Sequence, residues 1–187
     1  MDEQFFEARI REGGESRLLD LVQSGSVSVA DRDCMDRTPL MVALEIGSTD
    51  LVVALLALGS DASGKSDDGA TCLSRAIENG DLGLVKILVE AGADLELYST
   101  GFLTPLSLAA IRGNTEIMRY LLSKGSNIEA RGEMEETPLI EAAFHGQSES
   151  VALLLNSGAN RNAIDTFGRT FVDAANNEFA KQLRKSR

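Results

Sequence analysis

Apolar positions along the chain fall into two short stripes that alternate and recur. The first stripe is Leu40 with Ala43, and it returns as Leu73 with Ala76, Leu106 with Ala109, Leu139 with Ala142, and Val172 with Ala175. The second is Leu51, Val52, Leu55 and Leu56, matched by Leu84, Val85, Leu88 and Val89, and by Ile117, Met118, Leu121 and Leu122. Its fourth copy reads Ser150, Val151, Leu154, Leu155, so Ser150 marks a softer spot. Spacings of three and four residues place each stripe on one face of a helix, which predicts two short helices per period. A glycine follows each: Gly47, Gly80, Gly113 and Gly146 after the first, Gly59, Gly92, Gly125 and Gly158 after the second. Glycine suits the left-handed position that ends a helix.

The period is 33 residues, read from Thr38, Thr71, Thr104, Thr137 and Thr170. Each threonine precedes a first-stripe helix, where its oxygen accepts from an orphan backbone N–H. Pro39, Pro105 and Pro138 follow three of them, at the helical position where a missing N–H costs nothing. Cys72 and Phe171 replace the other two prolines, so those starts should be less sharply defined. Ser48, Asp81 and Asn114 are expected N-caps of the second helices, with Ser148 taking over from the poor cap Gln147. The polar run Ser60–Gly69 suits an extended hairpin.

A hairpin and two antiparallel helices at this period resemble the ankyrin repeat. The words that carry the resemblance are Thr38-Pro39-Leu40-Met41-Val42-Ala43, Thr104-Pro105-Leu106-Ser107-Leu108-Ala109-Ala110 and Thr137-Pro138-Leu139-Ile140-Glu141-Ala142-Ala143, with Ala91-Gly92-Ala93-Asp94 and Ser157-Gly158-Ala159-Asn160 after the outer helix. The implied fold is all-α, a solenoid of stacked helix pairs joined by β-hairpin-like loops. One domain over residues 1–187 is expected, with an N-terminal cap 1–30, full repeats 31–63, 64–96, 97–129 and 130–162, and a C-terminal cap 163–187. The N-terminal cap is read as two helices, Glu3–Arg11 and Ser16–Ser24. Polar Asn176, Asn177 and Glu178 suit an end that faces water, and Lys181, Arg184 and Lys185 a helix C-terminus. The histidine usual in the family after Thr-Pro-Leu is replaced by Met41, Ser74, Ser107, Ile140 and Asp173. Bonding between repeats must therefore be weaker or different.

Net charge is −11 and the pI about 4.6, which argues against nucleic acid, since phosphate binding needs clustered Lys and Arg. Such charge favours encounter with a basic partner. The longest apolar run, Leu51–Leu58, is too short to span a bilayer. The acidic start and two cysteines, Cys34 and Cys72, at no metal-like spacing fit a cytoplasmic protein without disulfides. His145 is the only histidine, and no phosphate-binding glycine loop or EF-hand spacing occurs. Asp67–Asp68 and the Glu133, Glu135, Glu136 group fall on hairpin tips, where solvent should leave carboxylates unremarkable. No catalytic, cofactor or metal site is expected, and the chain reads as a non-enzyme.

The resemblance implies that partners bind on the hairpin tips and the adjoining concave face of the inner helices. Counted from each threonine, the tips give Met35, Arg37, Asp67, Asp68, Phe102, Leu103, Glu133, Met134 and Glu136. The inner helices give Met41, Glu45, Ile46, Glu78, Ile111, Arg112, Phe144 and His145. Exposed apolar clusters with polar rims tend to be interaction sites. The expected function is a protein-binding scaffold, adaptor or inhibitor, monomeric on its own, whose partner is a protein with a basic surface. The alternative is an immunity or antitoxin-type protein that neutralises a basic toxin or enzyme; a metal-binding or enzymatic accessory using surface carboxylates ranks third.

Overall fold

The computed structural model describes residues 6–175, with side chains from residue 16 onward. The start of the expected helix Glu3–Arg11, the polar Asn176–Glu178 end and the basic Lys181, Arg184 and Lys185 lie outside the described residues. The described residues pack as two compact units, divided after Asp94.

The first unit contains α1 (Phe6–Gln23), α2 (Pro39–Glu45), α3 (Thr49–Ala57), α4 (Cys72–Glu78) and α5 (Leu82–Glu90). Gly14, with φ of 71°, breaks α1 where two helices were expected. Helices α2 and α3 form one antiparallel pair and α4 and α5 the next, with α2 packed on α4 and α3 on α5, and α1 against the first pair. The second unit contains α6 (Pro105–Arg112), α7 (Thr115–Ser123), α8 (Pro138–Phe144), α9 (Ser148–Asn156) and α10 (Phe171–Ala174). There α6 packs on α8 and α8 on α10, with α7 against α9. No strand occurs among the described residues, where the isolated antiparallel bridges are Lys65–Thr71 and Ser99–Leu103. The fold is all-α, as the resemblance implies.

The apolar stripes are the core. Leu40, Leu73, Leu106 and Leu139 are buried with the alanines three residues on, and so are the first three positions of every second stripe. The fourth positions, Leu56, Val89, Leu122 and Leu155, are only half-buried. Ser150 is fully buried, yet its hydroxyl finds no partner. A buried donor without a partner costs about 1–3 kcal/mol, so Ser150→Ala should raise stability by about 1 kcal/mol, read as a higher thermal midpoint.

Threonine caps α2, α4, α6 and α8, each side chain accepting from the third helical N–H. The two starts without proline differ from expectation, because side chains close them instead. Ser74 accepts the Thr71 N–H at 2.9 Å while Thr71 accepts that of Ser74 at 3.0 Å. Asp173 accepts both the N–H and the hydroxyl of Thr170. This is a capping box in the place of a fixed φ. Ser48 and Asp81 cap the outer helices, but Asn114 and Gln147 do not. At those two the helix opens with an N–H from Thr115 to Gly113 O and from Ser148 to Gly146 O, and ψ is 74° and 80° against 96–98° at the capped starts. Ser148 is thus the first helical residue, not the cap.

Bonds between repeats come from residues other than the absent histidine. In the first unit Asn79 Nδ2 donates to Leu44 O (2.8 Å), and Arg32 Nη1 to Lys65 O (3.0 Å). In the second, Gln147 Nε2 donates to Ile111 O (2.9 Å), Tyr98 Oη to Arg131 O (2.9 Å) and Arg131 Nη1 to Ile164 O (2.8 Å). The Gln147 amide reaches a carbonyl of the last helical turn, and the Asn79 amide adds a second donor to Leu44 O, which already accepts from the Gly47 N–H.

Candidate partner-binding face

All five hairpin tips share one backbone pattern. The residue five before the threonine donates to the carbonyl of the residue one before it, in Asp33→Arg37, Ser66→Ala70, Ser99→Leu103, Gly132→Glu136 and Asp165→Arg169, at 2.9–3.1 Å. The residue two before the threonine donates back into the same turn and has positive φ throughout: Asp36, Gly69, Phe102, Glu135 and Gly168. Glycine is free there, and Asp tolerates it, but a bulky aromatic is an outlier. Phe102 nevertheless adopts φ of 56°. Its ring stays 56% exposed and touches Tyr98 at a centroid distance of 6.4 Å, so it does not tuck between hairpins.

Carboxylates lock four of the five tips. Asp33 Oδ1 accepts from the N–H groups of Met35 and Arg37, and Asp165 Oδ1 from those of Phe167 and Arg169. Asp68 Oδ1 accepts from Ala70 N–H and the Ser66 hydroxyl, and Glu136 Oε2 from Met134 N–H. Burial opposes ionisation of Asp33 and Asp165, but the guanidinium and N–H bonds outweigh it and hold both carboxyls below the usual range. The Ser66 hydroxyl and Ala70 N–H, with Arg75, lower Asp68 likewise. Asp68 is therefore not the unremarkable solvated carboxylate its tip position suggests.

In the first unit most of the acidic residues expected to face a partner are paired within the chain. Arg37 bridges Asp33 and Glu45, both at 2.7 Å, and Arg75 reaches Glu45 (3.5 Å), Asp68 (2.9 Å) and Glu78 (3.7 Å). Arg37 is buried, contrary to the expectation of an open tip residue, because Asp33 and Glu45 draw its head inward. Met41 is buried too, with Cε 3.6 Å from where a Cβ on Gly64 of the next repeat would sit. Ser74, Ser107 and Ile140, at the same register, are equally buried. Met35, Ile46, Asp67, Asp68 and Glu78 are exposed as expected. Glu45 is half-buried within its ion pairs.

In the second unit Phe102, Met134 and Phe144 are exposed, with Arg112, Glu133 and His145. Leu103, Ile111 and Glu136 are half-buried. Phe144 meets the His145 ring edge-on at 5.2 Å. Burial, followed by nearby Glu136, pushes the Glu141 carboxyl up, against the pull of His145. Two strongly exposed apolar residues were missed: Ile164 and, at 66%, Phe167. Phe167 stands three before Thr170, the register of Met35 and Met134, so extending the count to the fifth copy finds it.

No group of three His, Cys, Asp or Glu that could hold a metal ion occurs among the described residues. Cys34 is exposed and Cys72 buried, both as free thiols. Burial, then Asp61, pushes the Cys72 thiol up to about 12, which leaves it protonated and inert. No helix among the described residues is long and apolar enough to cross a membrane.

Stacked helix pairs joined by locked hairpins define an all-α repeat protein that presents tips and inner helices. The sequence model described as ankyrin repeats in three copies matches residues 10–99 and 96–165, and the chain belongs to the ankyrin-repeat family. Ankyrin repeats are generally protein-interaction scaffolds and typically non-enzymatic. Comparison with curated proteins found no match.

Proposed function

We propose that this chain binds another protein through its hairpin tips and inner-helix surface, acting as a scaffold, adaptor or inhibitor with no chemistry of its own. The observation that carries the reading is the exposure of Phe102, Met134, Phe144 and Phe167 within one unit. Aromatic residues and Met are enriched in interface cores, and truncating such anchors is what most weakens binding. The net charge of −11 supports a partner with a basic surface, because complementary charge speeds encounter and rejects acidic competitors. Two free thiols support a reducing, cytoplasmic setting. The chain acts as a monomer until it meets its partner.

Affinity capture on the immobilised full chain, with quantitative mass spectrometry, tests this. The partner retained by the parent chain should bind about tenfold more weakly to Phe102→Ala/Phe144→Ala, a loss of about 1.4 kcal/mol that one aromatic anchor among the few that carry an interface can account for. A partner held undiminished by that variant would put the binding face elsewhere.

A further inference from the structure

We propose that the Gly132–Glu136 tip docks a partner segment in which a Lys or Arg is flanked by apolar side chains. This rests on the reading that the tips bind protein, and it names what they select.

Charge is the first support. Most tip carboxylates are spoken for: Asp33 by Arg37, Asp36 by Arg32, Asp68 by Arg75, Asp165 by Arg169, and Glu136 by the Met134 N–H. Glu133 and Glu135 are exposed, and neither carboxylate makes a hydrogen bond or ion pair among the described residues. The nearby cations are committed, Arg131 to the carbonyls of Glu135 and Ile164, and Arg169 to Asp165. An incoming ammonium or guanidinium would therefore meet two carboxylates that no described cation contacts, beside an Arg131 whose hydrogen bonds are spent on carbonyls.

Apolar contacts supply the second support. The Thr166 N–H and hydroxyl both donate to Met134 O, at 3.0 and 3.1 Å, tying the Phe167 tip to this one. On the other side Tyr98, which bears the Phe102 ring contact, is bonded to Arg131 O. Met134 and its two free glutamates thus lie between aromatic tips. The Arg169 guanidinium already sits 4.9 Å over the Phe167 ring, showing that this environment accepts a cation on an aromatic face. Phe102 holds its positive φ with a ring that stays more than half exposed.

Panning a random-peptide phage library against the full chain tests the proposal, with Glu133→Gln/Glu135→Gln and Phe102→Ala/Phe144→Ala chains as counter-targets. Both glutamines are isosteric and exposed, so the thermal midpoint should match the parent. Enriched peptides should carry Lys or Arg between apolar residues, and a synthetic copy should lose about tenfold in Kd on the double Gln chain. Enrichment without a cation, or affinity undiminished on the Gln chain, overturns the proposal. If such peptides still lose affinity on the Phe102→Ala/Phe144→Ala chain, the protein-binding reading survives while cation selection falls. Absence of any tip-dependent peptide sinks both. Self-association of the parent chain in sedimentation, abolished by Phe102→Ala, would give the tips to a second copy and overturn the proposal as well.

Discussion

Asp33→Ala should lower stability by about 3 kcal/mol, the lower end of what breaking a buried ion pair costs. The Asp33 side chain has no exposure and that of Arg37 only 6%, so removing the carboxylate leaves a guanidinium in a site built for a pair. Glu45 remains on Arg37 and limits the loss. Two N–H groups of the tip, Met35 and Arg37, also lose their acceptor. For a chain of this size the change corresponds to a fall of roughly 6–12 °C in the thermal midpoint. Asp165→Ala repeats the deletion where Arg169 is 39% exposed and should cost about half as much, since water can take over the guanidinium.

The same pairs fix the response to acid. The carboxyls of Asp33, Asp68 and Asp165 titrate lower in the folded chain than in the unfolded one. The unfolded state therefore binds protons first as pH falls below about 4, and stability drops with it. Their contribution is complete above the ordinary carboxylate range and is lost as pH falls through the lowered folded values. Denaturant melts between neutral pH and pH about 3 should show a shallower acid loss for Asp33→Asn than for the parent. An equal slope for the two would remove Asp33 from the acid transition.

Gly113→Ala should cost about 2 kcal/mol, and Gly47→Ala about half of that. Both glycines have φ of 73°, so an added Cβ strains both alike. Around Gly47 the new atom meets nothing within 4 Å, whereas at Gly113 it would sit 2.7 Å from Gln147 Oε1. The Gln147 amide can swing away, but then its bond to Ile111 O is lost. A double-mutant cycle with Gln147→Ala isolates that share. If Gly113→Ala costs no more than Gly47→Ala, the amide does not latch the repeats.

What could be read from the sequence is what depends on near neighbours. Thr38 and its copies cap helices because an oxygen and an N–H three residues apart always meet in that geometry. The buried stripes followed from spacing alone. Burial of Met41 and Arg37 did not, because it is decided elsewhere: by Gly64 one repeat later for Met41, and by the inward turn of Asp33 and Glu45 for Arg37. Asp68 and Glu136 read as partner-facing acids, since composition does not tell which way a backbone N–H points. Their first duty is to the turn they stand in. The capping roles of Ser74 and Asp173 were not legible, because a serine or aspartate in the first helical turn can equally well face water.

The locked tips have a thermodynamic consequence for any complex. A loop that must be ordered on contact spends part of the interaction energy on its own conformational entropy. Here a carboxylate has already fixed the Gly132–Glu136 and Asp165–Arg169 turns in the free chain. Calorimetry of a complex on that face should thus show the negative heat-capacity change of buried apolar surface without the excess that marks coupled folding on this side. Any adaptation of shape would fall to the partner.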